Sequence, residues 1–189
     1  PPSAPIGYLG GTSGVSHSGE YTWSLPLAVP PGRSGFQPSL SIAYNSQGGN
    51  GWLGVGFGID GLSEIHRCGQ SIAIESQTRG VDFSYGDRFC MEGQRLILIS
   101  GEYGHSGSEY RAERGGFDKI VYWEGNAFVS SAFDVWTKDG RILRYESFPV
   151  QRAVPMPDIP YALQETDLVY PLWVLKEEKD RAGNRIQYN

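Results

Sequence analysis

Cysteine, methionine and histidine are scarce in this 189-residue chain, which has two, two and three of them. Two cysteines exclude a disulfide-dense scaffold, and no run of 18 apolar residues is present that could cross a bilayer. Basic residues are outnumbered, and the net charge of -5 argues against nucleic acid or an anionic membrane as the main partner. The chain begins PPSAP, without Met or a signal sequence, which predicts a piece of a longer protein.

The two cysteines, Cys68 and Cys90, give little information by themselves. They could form a disulfide in an exported protein, but a core of this size does not need one for stability. Two unpaired, partly buried thiols are therefore the favoured interpretation. His66 and His105 could join them as zinc ligands. The spacing lacks the close ligand pairs of structural zinc sites, so we expect no metal site.

Catalytic motifs are also lacking. The sequence has no GxSxG elbow, no HExxH and no Walker-type loop. The carboxylates of Glu177, Glu178 and Asp180 form a charged run that a solvated strand end explains better than a catalytic pair. His17 completes the three histidines, and no nucleophile motif accompanies it. We therefore expect no catalytic or cofactor-binding residue, no cofactor and no enzymatic activity.

Helical periodicity is rare, and alternating patterns dominate. Residues 21–30 alternate but contain Pro26 and Pro30, which predicts an edge strand or a bulged strand. Short apolar runs at 40–44, 71–75, 95–100, 119–123 and 133–137 are bounded by turn residues. The pattern predicts an all-β fold of antiparallel hairpins in a large curved sheet or shell. The little helix expected is a turn or two within 163–169.

A weak internal repeat supports the hairpins. The segments EGQRLILI (92–99), DGRILRY (139–145) and AGNRIQY (182–188) each place a glycine-containing turn before alternating apolar positions. Such turns need positive φ angles. For the last hairpin, we expect the turn at Gly183 and Asn184. Because its returning strand is short, we also expect it to pair with a following hairpin of the same or a separate chain.

The glycine-rich stretch NSQGGNGWLGVGFGIDG (45–61) contains GFGIDG, a formal match to the dinucleotide-binding pattern GxGxxG. That motif must follow a parallel strand and open a helix, and LSEIHRCGQSIAIES has no such helix. We therefore interpret the glycines as structural. Residues 52–59 are predicted to be one strand with large side chains packed inward, and its glycines to allow close approach of another backbone.

Over a longer stretch that includes these glycines, the sequence resembles a known family. Residues 18–67, SGEYTWSLPLAVPPGRSGFQPSLSIAYNSQGGNGWLGVGFGIDGLSEIHR, are similar to the opening of SpvB-type N-terminal domains. These occur in the B components of Tc toxin complexes and in Rhs/YD-repeat proteins. Phe57 stands where the toxin relatives usually have Trp and keeps an aromatic anchor. The end, WVLKEEKDRAGNRIQYN, resembles the segment that leads into YD repeats.

The resemblance implies a non-enzymatic, exported toxin component. It would be the N-terminal segment of a shell that encapsulates a C-terminal toxin for delivery, as part of a virulence system. Its partners would be the remaining YD-repeat shell and the enclosed toxin, in the same polypeptide or as cleaved fragments. Four regions follow: a Pro/Gly/Ser-rich lead-in (1–18), the SpvB-type β domain (19–148), a Pro-rich connector (149–171) and the start of a YD-like hairpin (172–189).

An independent, secreted β-sandwich that binds carbohydrate or protein is the alternative. Exposed tryptophans could stack on sugars. The five tryptophans are Trp23, Trp52, Trp123, Trp136 and Trp173. The favoured interpretation places them in the core or between sheets. A binding module should express alone as a monomer with a cooperative melt, whereas a shell segment should depend on its partners.

Overall fold

The computed structural model describes residues 10–51, 53–114, 116–126, 129–153 and 166–189. The chain forms two compact units, Pro1–Leu62 and Ser63–Asn189. The division falls inside the β domain predicted for residues 19–148.

Almost every regular element is a β-strand, and the prediction of an antiparallel all-β fold is confirmed. The strands in the described residues are β1 (Thr12–Val15), β2 (Tyr21–Pro26), β3 (Ser41–Asn45), β4 (Asn50–Gly51), β5 (Gly54–Val55), β6 (Phe57–Asp60), β7 (Glu64–Cys68), β8 (Arg88–Met91), β9 (Gln94–Ser100), β10 (Glu109–Ala112), β11 (Lys119–Trp123), β12 (Ala132–Trp136), β13 (Ile142–Ala153), β14 (Thr166–Lys179) and β15 (Arg185–Gln187). The helices are α1 (Ile72–Glu75) and a 3₁₀ turn at Arg33–Gly35.

The first unit contains a four-stranded sheet in the order β1-β2-β3-β6 and a small β4–β5 hairpin. The prediction that residues 21–30 form an edge strand is wrong, because β2 lies between β1 and β3. Its pairing with β1 ends at Ser24, while Leu25 and Pro26 pair only with β3. Pro26 therefore lies where β2 has one free side, and its missing N–H is not needed there.

The second unit is a closed, eight-stranded antiparallel barrel. Its strands follow the order β13-β12-β11-β10-β9-β8-β7-β14, and β14 pairs with β13 to close the ring. Strand β15 pairs with β14 next to the end of β7. Closure leaves the eight strands with few free edges, which is how a sheet of this length avoids unpaired backbone groups.

Alternating residues of the barrel strands face inward and are mostly aromatic or large aliphatic. The buried cluster comprises Ile65, Phe89, Leu96, Tyr110, Ile120, Tyr122, Phe133, Val135, Leu143, Tyr145, Trp173 and Leu175. Rings meet edge to face, as between Phe89 and Trp173 at 5.4 Å and 86°. Their polar groups are partnered: Trp173 Nε1 donates to Ser131 Oγ at 2.9 Å.

All three predicted turns occur where the repeat placed them. Glu92 and Gly93 have φ of 50° and 72° between β8 and β9, Gly140 has 83° before β13, and Gly183 has 82° before β15. Asn184 does not take a positive φ. Its backbone N–H and side chain instead donate to the Asp180 carboxylate, which caps the turn.

Two local predictions are wrong. Within the predicted strand 71–75, Ile72–Glu75 form the short helix α1, because the Glu75 carboxylate accepts the Ser71 backbone N–H and is held by two arginines. Residues 166–169 belong to β14 and not to a helical turn. Residues 163–165 lie outside the described part of the chain.

The proline-rich stretch 149–171 is strand at both ends, since β13 continues to Ala153 and β14 begins at Thr166. Its centre, 154–165, lies outside the described residues. Of the predicted lead-in, residues 1–9 also lie outside, and β1 occupies part of the rest. The boundaries at 19, 149 and 172 stay predictions.

Candidate functional site

The glycine-rich stretch is not one strand with inward side chains. It is a β4–β5 hairpin followed by β6, with Gly54 and Gly56 at φ of 118° and 77°. Leu53 and Val55 are exposed by 50% and 70%. The alternation misled the prediction because the glycines turn the chain twice within seven residues. Trp52 lies outside the described residues.

The structural role of these glycines is nevertheless visible. A Cβ at Gly56 would lie 2.6 Å from the Asn45 carbonyl oxygen and 2.7 Å from the Tyr44 ring. A Cβ at Gly51 would meet the Phe57 carbonyl oxygen. Any side chain at these positions would collide with backbone, which is rigid. The glycines of this segment therefore let the hairpin fold back against β3 and β6.

The first unit has no buried side chain among its described residues. Exposed apolar side chains lie instead on its sheet (Val15, Tyr21 and Phe57), on the β4–β5 hairpin (Leu53 and Val55) and after β6 (Leu62). A sheet that buries neither face lacks the packing that normally stabilises it, and such apolar groups are typical of contact surfaces. We call these six side chains the apolar sheet surface.

Cys68 and Cys90 form a disulfide, which corrects the prediction of two free thiols. They lie on the neighbouring strands β7 and β8, where His66 pairs with Cys90 and Cys68 with Arg88. The Cα atoms are 5.9 Å apart, which suits a bridge. The 21 residues between the cysteines gave no sign that a hairpin-like pairing brings them together.

The histidines and acidic residues weighed as catalytic candidates are dispersed. His66 Nδ1 lies 3.9 Å from Glu64, and His105 stacks on Tyr85 with ring centroids 4.8 Å apart. His17 belongs to the first unit. Among the described residues, no group of three His, Cys, Asp or Glu is arranged to hold a metal ion.

The carboxylates near the chain's end hold β15 in place. The nearly buried Glu178 accepts a hydrogen bond from Tyr188 Oη at 2.7 Å and pairs with Arg141 at 3.2 Å. Burial and the negative charge of Glu178 raise the pKa of Tyr188, so this phenol stays a donor. Glu177 pairs with Lys179 and Arg185, which lowers its pKa, the hydrogen bond from Lys179 being the main cause.

The tryptophans divide between core and surface. Trp173 is fully buried at the centre of the barrel cluster, as predicted. Trp123 is 42% exposed, and its Nε1 donates to Asp134. Trp23 and Trp136 are half-buried.

No helix within the described residues has the length and hydropathy that a membrane crossing requires.

The SpvB family, described as Salmonella virulence plasmid 65kDa B protein, matches residues 15–189. The chain belongs to the SpvB family. This confirms the resemblance read from residues 18–67 and from the terminal hairpin. A comparison of the sequence with curated proteins found no match.

Three solved structures share the fold of this SpvB-family chain. The TcdB2-TccC3 complex without its hypervariable C-terminal region has a TM-score of 0.68 and 20% identity, covering 97% of this chain and 9% of that one. The Photorhabdus luminescens Tc holotoxin pore has a TM-score of 0.63 and 20% identity, and the match covers 96% of this chain and 8% of that one. The N-terminal domain of effector protein SpvB from Salmonella typhimurium strain LT2 has a TM-score of 0.61 and 21% identity. The match covers 88% of this chain and 53% of that one.

The chain therefore spans less than a tenth of the two Tc chains and about half of the SpvB N-terminal domain chain. The observed barrel also replaces the β-sandwich of the alternative interpretation.

Proposed function

We propose that this chain is a non-enzymatic segment of an Rhs/Tc-type toxin shell, which encapsulates a C-terminal toxin for delivery. Its partners are the rest of the YD-repeat shell and the enclosed toxin, on the same polypeptide or on its cleaved fragments. The shell is exported with its cargo. Family membership and the shared fold with Tc toxin assemblies support this role.

The apolar sheet surface carries the proposal. Burying apolar area is worth about 25 cal/mol per Å², so a unit that leaves six apolar side chains exposed forgoes stabilisation that a covering partner would supply. The exposures of Val15 and Val55 are both 70%. In a shell segment the neighbouring shell strands would provide this cover.

Hydrogen exchange tests the proposal directly. The isolated chain should exchange rapidly in β1 and β4–β6, while the same segments in the full-length toxin polypeptide should be protected. Protection that is equal in both states would contradict the shell role.

A pair of variants sharpens the test. Val55→Ser should leave the melting temperature of the isolated chain unchanged and lower the yield of assembled toxin. Phe117→Ser is the matched control, because Phe117 is 74% exposed but lies in the second unit. An equal loss of assembly in both variants would show a general surface effect and not a specific contact.

The absence of enzymatic activity is part of the same proposal. It rests on the lack of catalytic motifs and on the structural role of the GFGIDG glycines. NAD or ATP should produce no thermal shift, whereas a ligand at 100 times its Kd stabilises a protein by about 2.7 kcal/mol. A shift with either nucleotide would refute this part alone.

A further inference from the structure

A cavity of about 280 Å³ lies beside the barrel core. Its inner wall includes Phe89, Tyr122 and Ser131, and Tyr85 and Glu124 line it as exposed residues. The volume is near the lower end of small-ligand pockets, which run from about 300 to 1,000 Å³. The space suits one small ring and not an extended ligand.

Tyr85 presents a flat aromatic surface at this cavity. Its ring stacks on His105 with an interplanar angle of 10° and remains 63% exposed. Tyr85 lines the cavity, whereas His105, which covers one face of its ring, is not among the lining residues. The Tyr85 hydroxyl donates to Glu124 at 3.3 Å. Because Tyr85 is 63% exposed, ring surface remains that a ligand can contact.

The loop that carries Tyr85 is rigidly held. The Asp87 carboxylate is buried and accepts the backbone N–H groups of Asp82 and Phe83 as well as Arg67 Nη1. Phe83 has a φ of 67°, which costs a non-glycine residue about 1–3 kcal/mol and is often found at functional sites. The surface offered by Tyr85 is therefore preformed, which lowers the entropic cost of binding.

Arg67 is the one basic residue among those that line the cavity. Its Nε donates to the Tyr170 carbonyl oxygen and its Nη1 to Ser84 and Asp87, while Nη2 has no partner among the described residues. The guanidinium lies 5.7 Å from the Phe89 ring centroid, which fixes it further. The Nη2 group therefore has hydrogen-bonding capacity that a ligand oxygen can use.

The charges and polarity of the lining select the ligand class. Two carboxylates, Asp87 and Glu124, outweigh the single guanidinium of Arg67, which disfavours phosphates and other anions. A purely apolar side chain would make no hydrogen bond with Arg67 or Glu124, which both line the cavity. A neutral ring with one C–H face and several hydroxyls can stack on Tyr85 and form hydrogen bonds with Arg67 and Glu124.

We propose that this cavity binds one neutral pyranose ring of a glycan. The ring's C–H face stacks on Tyr85, Arg67 donates to a ring hydroxyl oxygen, and Glu124 accepts from a hydroxyl. The residues that line the cavity all belong to the second unit, and the proposal does not depend on the shell role.

Saturation-transfer difference NMR on the 189-residue chain tests the site. The probes are methyl β-glucopyranoside, methyl β-galactopyranoside and N-acetylglucosamine. At least one should receive saturation at its ring protons. Tyr85→Ala should weaken binding about tenfold or more, equivalent to about 1.4 kcal/mol, and Tyr85→Phe should keep most of it because the ring remains.

Tyr21→Ala is the control, since Tyr21 is an exposed tyrosine of the first unit. It should bind like the wild type, and a near-ultraviolet spectrum should show that Tyr85→Ala keeps the barrel folded. Transfer to none of the three sugars would overturn the proposal, as would transfer that survives Tyr85→Ala. Preferential binding of N-acetyl-phenylalanine amide would identify a pocket for a protein side chain instead.

Discussion

Single residues explain much of what the glycine-rich stretch does. The sequence predicted that its glycines are structural, and the close approaches at Gly51 and Gly56 support that interpretation. The side-chain directions were wrong, because alternation of glycine with apolar residues is compatible both with a strand and with a tight hairpin. Only the positive φ angles distinguish the two.

Gly56→Val should destabilise the first unit within the assembled toxin by at least about 2 kcal/mol, from the left-handed backbone and the collision with Asn45. Gly58→Val is the control, since a Cβ there meets nothing within 4 Å and its φ is ordinary. Hydrogen exchange of β3 and β6 in the full-length toxin polypeptide measures both variants. Equal exchange in Gly56→Val and wild type would refute the account of close packing.

Glu75 links α1 to the barrel through charge. Burial raises the pKa of its carboxyl, but hydrogen bonds from the Ser71 N–H, Arg95 and Arg88 outweigh burial and lower it. A lowered pKa in the folded state means that Glu75 adds stability above its ordinary pKa of about 4.3. That contribution is lost as the pH falls through the lowered value.

Glu75→Gln should therefore cost about 2 kcal/mol at pH 7, and the difference from wild type should shrink below about pH 4. The control Glu102→Gln changes a 79% exposed side chain and should have little effect. The measurement is the unfolding free energy of the wild type and both variants from pH 7 to pH 3. A difference that stays constant with pH would show that the ion pairs do not stabilise the fold.

At the scale of elements, turn chemistry was the most reliable signal. The three repeated turns were predicted from glycine steps and confirmed, since positive φ is a local requirement that few residues satisfy. Helix α1 was missed because SIAIE alternates like a strand. Its helical form depends on Arg88 and Arg95, which are distant in sequence and reach Glu75 only in the folded barrel.

The disulfide between β7 and β8 should stabilise the barrel by about 3 kcal/mol, since it closes a loop with a sequence separation of 22. The double variant Cys68→Ser/Cys90→Ser should unfold at lower urea, and dithiothreitol should lower the wild type to the same midpoint. The variant itself should not respond to the reductant. Two titratable thiols in the unreduced, denatured wild type would mean that the bridge is absent.

At the scale of the whole molecule, the two units differ in how they bury apolar groups. All eight barrel strands, the disulfide and the aromatic cluster lie in residues 63–189. The sheet of the first unit has no buried side chain in the described residues. Stability should therefore reside mainly in the second unit.

Residues 63–189 expressed alone should fold, with a cooperative melt close to that of the full chain. Residues 1–62 expressed alone should give no cooperative melt. Circular dichroism and calorimetry on the two fragments provide the comparison. A fragment 63–189 that stays unfolded would show that the barrel needs the first unit to form.

The sequence by itself determined the strand class, the three hairpin turns, the structural nature of the glycines and the family. Each of these depends on local backbone preference or on a long match in residue order. Tertiary structure alone decided the barrel closure through β13 and β14, the Cys68–Cys90 bridge, helix α1 and the cavity at Tyr85. These features join residues far apart in the chain, and their energies come from pairings that no local pattern records.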